Sequence, residues 1–143
     1  MRRSGSTVDP EAARVSRALQ AVVDGDPAPL DFLATRGHEE LVEAVTSLGS
    51  LTVRRAAAVA VLRRLLEKSI TPRQAQQWAS FVRRGYIAGR LGGPIRPLDI
   101  AFDSGCEEAM ADTISRLDEI GDVVDGDVTE GEARDLLRLL GED

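Results

Sequence analysis

The sequence has few of the residue types on which catalysis, metal binding and disulfide formation depend. Its 143 residues include one histidine, His38, and one cysteine, Cys106. One cysteine excludes an intrachain disulfide, and one histidine excludes a histidine cluster for zinc. The glycine-rich segment 89–93 lacks the lysine and flanking strand of a phosphate-binding loop. We therefore predict no enzyme activity, no cofactor and no metal.

Aromatic residues and long apolar runs are also scarce. Aromatics make up 3% of the chain, whereas hydrophobic residues as a whole make up 43%. A core built from aliphatic side chains favours helices over a β-sandwich or barrel. The longest weakly polar stretch, Ala56–Leu62, is too short to span a bilayer. No apolar run follows Arg2 and Arg3, where a secretory signal would need one, so the cytoplasm is the expected compartment.

Apolar residues recur with helical spacing along most of the chain, and this pattern predicts the fold class. We expect an all-α, single-domain helical bundle of six to seven helices with no sheet over residues 9–143, behind a flexible tail at 1–8. A long loop is expected at 85–97, followed by a brief apolar turn at Leu98–Phe102. The predicted helices are Pro10 to about Val23, Leu30–Thr35, Glu39–Leu48, Thr52–Lys68, one beginning at Pro72, Ser104–Val124, and one from Thr129 to Leu140.

Two of these helix starts share the same chemistry. Thr71 with Gln74, and Thr129 with Glu132, each have the spacing of a capping box, and an apolar residue precedes each threonine. The two starts lie 58 residues apart. Either two related helical hairpins or the chance recurrence of a common helix start explains the likeness.

The helical spacing also predicts which side chains form the core. We expect Leu65→Ala to cost roughly 2–5 kcal/mol of stability, as large-to-small changes in a core do. The residues predicted to be buried are Val61, Leu62, Leu65, Trp78, Val82, Leu117 and Ile120.

Three features carry weaker chemical signals. Asp125–Glu132 matches the second half of a calcium-binding loop, but Gly121 and Val123 stand where the first carboxylates belong. We interpret it as a capped turn between helices. We expect His38 to face solvent in the first turn of a helix, and Cys106 to serve as a small buried apolar residue.

Charge is distributed unevenly along the chain, whose net charge is −6. Residues 1–50 carry a net −3, residues 51–98 a net +9, and residues 99–143 a net −12. Either the basic middle and the acidic end neutralise each other in the fold, or one of these charged surfaces faces a partner of opposite sign.

The acidic end contains the most directed pattern. Glu108, Asp112, Glu119 and Asp122 fall on one face of the predicted helix Ser104–Val124, opposite its apolar face. This stripe is either a solvated helix face or a surface that receives a basic protein partner. If it faces a partner, like charges at i,i+4 destabilise the free protein slightly, and neutralising them should stabilise it.

The arginine-rich middle supports an alternative function, a nucleic-acid-binding or regulatory adaptor. The pairs Arg54–Arg55 and Arg63–Arg64 point in four directions on their helix, so they do not form the single basic stripe that a nucleic-acid groove requires. The acidic end would also repel phosphate. Self-association is left open.

The segment Leu62–Tyr86, with the motif Ile70-Thr71-x-x-Gln74-Ala75-x-x-Trp78, and the segment Ile120–Thr129 together resemble small helical immunity proteins of bacterial toxin systems, including the colicin D immunity type. The resemblance covers about half the chain and excludes the first fifty residues. It implies a cytoplasmic helical bundle that binds a nuclease toxin and blocks the toxin's basic substrate groove with acidic side chains.

Overall fold

The computed structural model describes residues 10–87, 97–120 and 128–142. The predicted tail at 1–8 and the centre of the predicted loop, 88–96, lie outside these ranges, as does segment 121–127. The described part is mainly helical. Its elements are α1 (Pro10–Val23), α2 (Leu30–Ala34), α3 (His38–Leu48), β1 (Leu51–Val53), α4 (Arg55–Leu66), α5 (Pro72–Arg84), β2 (Ile100–Phe102), α6 (Glu107–Asp118) and α7 (Glu130–Leu139).

The prediction that the fold has no sheet is wrong, because β1 and β2 pair in parallel, with Thr52 opposite Ala101. Gly49 ends α3 with a φ of 92°, and the chain then runs extended into β1. Leu51 and Val53 are buried while Thr52 between them is partly exposed, which is the two-residue period of a strand. The predicted helix Thr52–Lys68 therefore begins only at Arg55, and the predicted apolar turn is β2.

Three of the described helices, α1, α4 and α7, end in the same pair of backbone hydrogen bonds around a residue of positive φ. After α1 and α7 that residue is glycine, Gly25 with φ 103° and Gly141 with φ 93°, whereas after α4 it is Lys68 with φ 62°. After α7, Gly141 N–H donates to Arg138 O, and Glu142 N–H donates to Leu137 O, both at 2.9 Å. These are the hydrogen bonds of a Schellman motif, which satisfy the last carbonyls of the helix.

The α5 helix passes through the centre of the core. Trp78 is fully buried, and its indole Nε1–H donates to Val22 O of α1 at 2.7 Å. The predicted core residues are confirmed with one correction: Leu65 is only partly buried. Leu65 follows the two arginines at the end of α4 and borders a surface cavity of about 360 Å³ beside Ile70 and Val128.

The chain from β1 onward contains the order strand, helix, helix twice. The first unit is β1, α4 and α5, and the second is β2, α6 and α7. Helix α4 contacts α7, and α5 contacts α6, so each unit packs its first helix against the second helix of the other. The predicted capping box at Thr71 is confirmed, with Gln74 N–H donating to Thr71 Oγ1 at 3.1 Å and Gln74 Oε1 accepting from Thr71 N–H at 2.9 Å.

The second start differs from the first in one half of the box. Glu132 N–H donates to the Thr129 hydroxyl at 3.1 Å, as predicted, but the Glu132 carboxylate binds Arg116 of α6. The repeated element order is what two related helical hairpins would produce, and this remains one of the two explanations for the likeness of the helix starts.

Candidate functional site

The structure describes three of the four predicted partner-binding carboxylates. Glu108 and Asp112 lie one turn apart on α6, and both are exposed. Glu119 is the C-terminal cap of α6 and is partly buried, and Asp122 lies outside the described residues. The expected four-turn acidic helix face is wrong in its extent, because α6 begins at Glu107 rather than Ser104 and ends at Asp118.

Glu108 and Asp112 line a shallow surface hollow of about 640 Å³ between α6 and the end of α7, which we call the acidic hollow. Leu139 of α7 contributes an apolar side chain that is half exposed. The acidic hollow is lined by Gly105, Cys106, Glu107, Glu108, Ala109, Asp112 and Leu139.

The exposed carboxylates of the acidic hollow are not neutralised by any cation that the structure describes. In the ranges that the structure describes, no arginine, lysine or histidine lies within ion-pair distance of Glu108 or Asp112. The Glu107 carboxylate accepts a hydrogen bond from Gly105 N–H. Since like charges at i,i+4 repel each other by a few tenths of a kcal/mol, this arrangement favours a cationic ligand.

Cys106 and His38 differ from their predicted surroundings. Cys106 caps the N-terminus of α6 and is partly buried, with Sγ 3.8 Å from Asp103 O. His38 is the first residue of α3 and is also partly buried, rather than fully solvent-facing. Neither residue has a second histidine or cysteine with which to form a site, since the chain has one of each.

Asp118 is a charged residue that the sequence pattern did not single out. Its side chain is only 4% exposed, at the C-terminal end of α6. The carboxylate accepts from Arg83 at 2.9 Å, from Arg84 at 3.1 Å, and from the Gln76 amide at 3.1 Å, all three of which lie on α5. The hydrogen bond that Arg84 donates to Asp118 raises the pKa of Arg84 above its usual value. This cluster joins α6 to α5.

Glu142 forms a second cluster beside α4. Its carboxylate binds Arg55 at 2.8 Å and Arg63 at 2.7 Å, and Arg55 also donates to Leu140 O at 3.1 Å. The hydrogen bond from Arg55, assisted by the one from Arg63, holds the pKa of Glu142 below its usual value. The Schellman motif after α7 places Glu142 where it reaches α4.

Glu132 forms a third cluster within the acidic part of the chain. Its carboxylate accepts from the Arg116 guanidinium, with one of the two contacts at 3.0 Å, and this hydrogen bond lowers the pKa of Glu132. Arg116 therefore joins α6 to α7.

Two of these clusters show that the acidic end neutralises part of the basic middle within the fold. Four arginines of the basic middle, namely Arg55, Arg63, Arg83 and Arg84, bind carboxylates of the acidic end. The carboxylates that do so are Asp118 and Glu142, which the sequence analysis did not select. Within the described ranges, Glu108 and Asp112 of the acidic hollow take no part in this internal neutralisation.

Metal-binding geometry is not found in the part of the chain that the structure describes. No three His, Cys, Asp or Glu side chains cluster there as ligands, and the first three residues of the loop-like segment 125–132 lie outside it. Among the described helices, none combines the length and apolar composition needed to cross a bilayer.

Comparison with known proteins gives no relative from which a function could be transferred. No protein family matches the chain, and neither the curated proteins nor the solved structures yield a match.

Proposed function

We propose that this protein is a non-enzymatic binding module of the bacterial cytoplasm that presents the acidic hollow to a basic protein partner. An immunity protein that occupies the substrate groove of a nuclease toxin is the form of this function that the sequence resemblance implies. The observation that carries the proposal is the exposure of Glu108 and Asp112, without cationic partners among the described residues, next to the half-exposed Leu139.

The composition of the acidic hollow supports this proposal. Binding sites between proteins commonly have an apolar centre with a polar rim, and a few side chains supply most of the binding energy. Leu139 supplies an apolar side chain to the lining of the acidic hollow, and Glu107, Glu108 and Asp112 supply three carboxylates. A nuclease that binds phosphate presents lysine and arginine in its groove, so carboxylates at this spacing offer it a substitute for phosphates.

Electrostatic steering gives the carboxylates a second role. Oppositely charged surfaces raise the rate at which two proteins associate, and the effect decreases with ionic strength. The internal pairing of Arg83 and Arg84 with Asp118 supports this role, because these cations do not then cancel the field of the acidic hollow directly.

The alternative function, a nucleic-acid-binding adaptor, has weaker support. Its best candidates for phosphate contacts, Arg55, Arg63, Arg83 and Arg84, each bind a carboxylate of this chain. Retention on a heparin or DNA column that decreases with salt would favour this alternative over the proposed function.

The proposal is tested by inhibition of purified cationic nuclease domains from bacterial toxins, assayed as a panel with this protein in twofold excess. We expect at least one nuclease to be inhibited at one-to-one stoichiometry. We also expect Glu108→Gln combined with Asp112→Asn to weaken that inhibition by about tenfold or more, which corresponds to roughly 1.4 kcal/mol.

The matched control is Glu39→Gln combined with Glu43→Gln. These glutamates also lie one turn apart and exposed, but on α3. The control should inhibit like the wild type. The immunity function would be wrong if no nuclease in the panel is inhibited, or if both double variants lose inhibition equally.

A further inference from the structure

The strand β2 has one edge without a partner among the described residues. Asp103 N–H, just after β2, donates to Val53 O of β1 at 3.1 Å. Backbone groups alternate in direction along a strand, so Ala101 also faces β1, while Ile100 and Phe102 direct their N–H and C=O groups to the opposite edge. No backbone or side-chain group of the described residues bonds to these outer groups of Ile100 and Phe102.

This edge is more accessible than the rest of the small sheet. In β1, Leu51 and Val53 are buried, and α1 packs against the strand. In β2, Ile100 and Phe102 are partly exposed, and Ala101 is exposed. An accessible edge strand can take up an extended peptide as an additional strand, with main-chain hydrogen bonds supplying the affinity.

The acidic residues that flank β2 favour a positively charged segment at its free edge. Side chains alternate between the two faces of a strand, so Asp99, Ala101 and Asp103 share the solvent-facing side of β2. Asp99 is exposed, and Asp103 is partly buried, with one oxygen accepting from Arg55 N–H at 3.1 Å. The sequence has no lysine or arginine from Pro97 to Ser115.

A second copy of this chain is a poor occupant of the edge. In an antiparallel pair of β2 strands centred on Ala101, Asp99 of each chain would lie opposite Asp103 of the other. In a parallel pair, each aspartate would lie opposite its own counterpart. Like charges directly opposite each other destabilise a strand pair, so both arrangements are unfavourable.

We infer that the free edge of β2 binds an extended segment of a basic protein partner as a third strand. The segment has five residues, with lysine or arginine at positions one and five, a small residue at three, and apolar residues at two and four. The basic residues lie beside Asp99 and Asp103, and the apolar ones lie beside Ile100 and Phe102. This inference rests on the proposed function, because it specifies how a basic partner binds.

The test titrates the full chain with a capped synthetic peptide whose central sequence is Arg-Val-Ser-Val-Arg and follows backbone amides by NMR. We expect hydrogen exchange at the amides of Ile100 and Phe102 to slow at least tenfold on binding. Two further peptides carry N-methyl groups on alternate amides, the first peptide at odd positions and the second at even positions. Only one of these two sets of amides can face β2, so we expect one N-methylated peptide to lose binding and the other to retain binding.

A protein variant gives a second readout that leaves the core intact. Ala101→Lys adds a positive charge on the exposed face of β2 and should weaken peptide binding about tenfold. Ser47→Lys adds the same charge on exposed α3 and should leave binding unchanged.

Several outcomes would overturn strand addition. In the first, both N-methylated peptides bind equally and the NMR signals that shift belong only to α6 and Leu139. The proposed function would then stand without strand addition at β2. Protection of the Ile100 and Phe102 amides in the free protein would mean that the edge is already covered, and concentration-dependent protection would indicate a second copy. Absence of peptide binding at millimolar concentration would also exclude strand addition. The proposed function is tested separately, by the nuclease inhibition assay.

Discussion

At the scale of single residues, buried Asp118 and exposed Glu108 show how the same charge serves different roles. Asp118 has three donors on α5 and holds two helices together. Glu108 has no cationic partner among the described residues and is exposed. The sequence could not distinguish them, because Asp118 acquires its role from arginines 34 and 35 residues earlier in the chain. The sequence does place Asp118 directly after Leu117, a predicted core residue, and this neighbour was the available indication that Asp118 is buried.

Asp118→Asn should lower the free energy of unfolding by about 1–2 kcal/mol, because it leaves Arg83 and Arg84 without their anion and weakens charge-assisted hydrogen bonds. The loss of stability is limited because both guanidinium groups are about half exposed, so that solvent screens their interaction with Asp118. Urea denaturation measures the change. Asp135→Asn, which removes an exposed pair with Arg138, serves as the control and should change stability by less than about 0.5 kcal/mol. Equal effects of the two variants would contradict the structural role of Asp118.

Lys68→Gly should raise stability by about 0.5–1 kcal/mol. Lys68 holds the left-handed position that Gly25 and Gly141 hold after α1 and α7. A side chain costs energy in this conformation, whereas the extra flexibility of glycine in the unfolded chain offsets part of the gain. Thermal unfolding checks the prediction. A decrease would show that the Lys68 side chain makes a stabilising contact that outweighs the backbone cost.

At the scale of elements, the helices with clear start signals were predictable and the short strands were not. The α5 helix begins at Pro72, after a capping threonine, as the sequence predicts. Three-residue strands are too short for their period to be recognised in the sequence, which therefore predicts a helix that includes Thr52 and Val53 of β1, and a turn at β2. The parallel pairing also depends on residues 49 positions apart, such as Thr52 and Ala101. Half of the predicted acidic stripe, Glu108 and Asp112, falls on the candidate site.

Glu108→Gln combined with Asp112→Asn should change the free energy of unfolding by less than about 0.5 kcal/mol. Glu108 lies in the first turn of α6, where the helix macrodipole stabilises a negative charge. The double variant loses this favourable interaction with the macrodipole but also relieves the repulsion between the two carboxylates. The two effects are similar in size and opposite in sign, so they largely cancel. Thermal unfolding at low and high salt measures the sum. A fall of more than 1 kcal/mol would mean that these carboxylates are structural.

At the scale of the whole molecule, ion pairs connect the acidic C-terminal part to the basic middle. Glu142 joins the end of α7 to α4, and Glu132 joins α7 to α6 through Arg116. Such pairing is one of the two alternatives that the charge distribution along the sequence leaves open. The charge distribution could not predict the partners, because they depend on how α7 packs against α4 and α6.

Stability should decrease as the pH falls through the acidic range. Hydrogen bonds from Arg55 and Arg116 lower the pKa values of Glu142 and Glu132 in the folded protein, below the 4.5 of a free glutamate. A carboxyl group with a lowered pKa contributes its full stabilisation above pH 4.5 and loses it as pH falls through the folded value. Urea midpoints measured between pH 6 and pH 3 check this, and Glu142→Gln should flatten the dependence. An unchanged slope in that variant would contradict the role of Glu142.

The role proposed for the acidic hollow is tested most directly by the rate of association with a nuclease domain identified in the inhibition assay, measured by stopped-flow at several ionic strengths. At low salt, Glu108→Gln combined with Asp112→Asn should slow association about tenfold, and the difference should vanish at high salt, because charge at an interface acts mainly on encounter. The control pair on α3, Glu39→Gln with Glu43→Gln, should associate like the wild type. Equal rates for all three proteins, or the same loss in the control, would contradict the claim that the acidic hollow is the partner-binding surface.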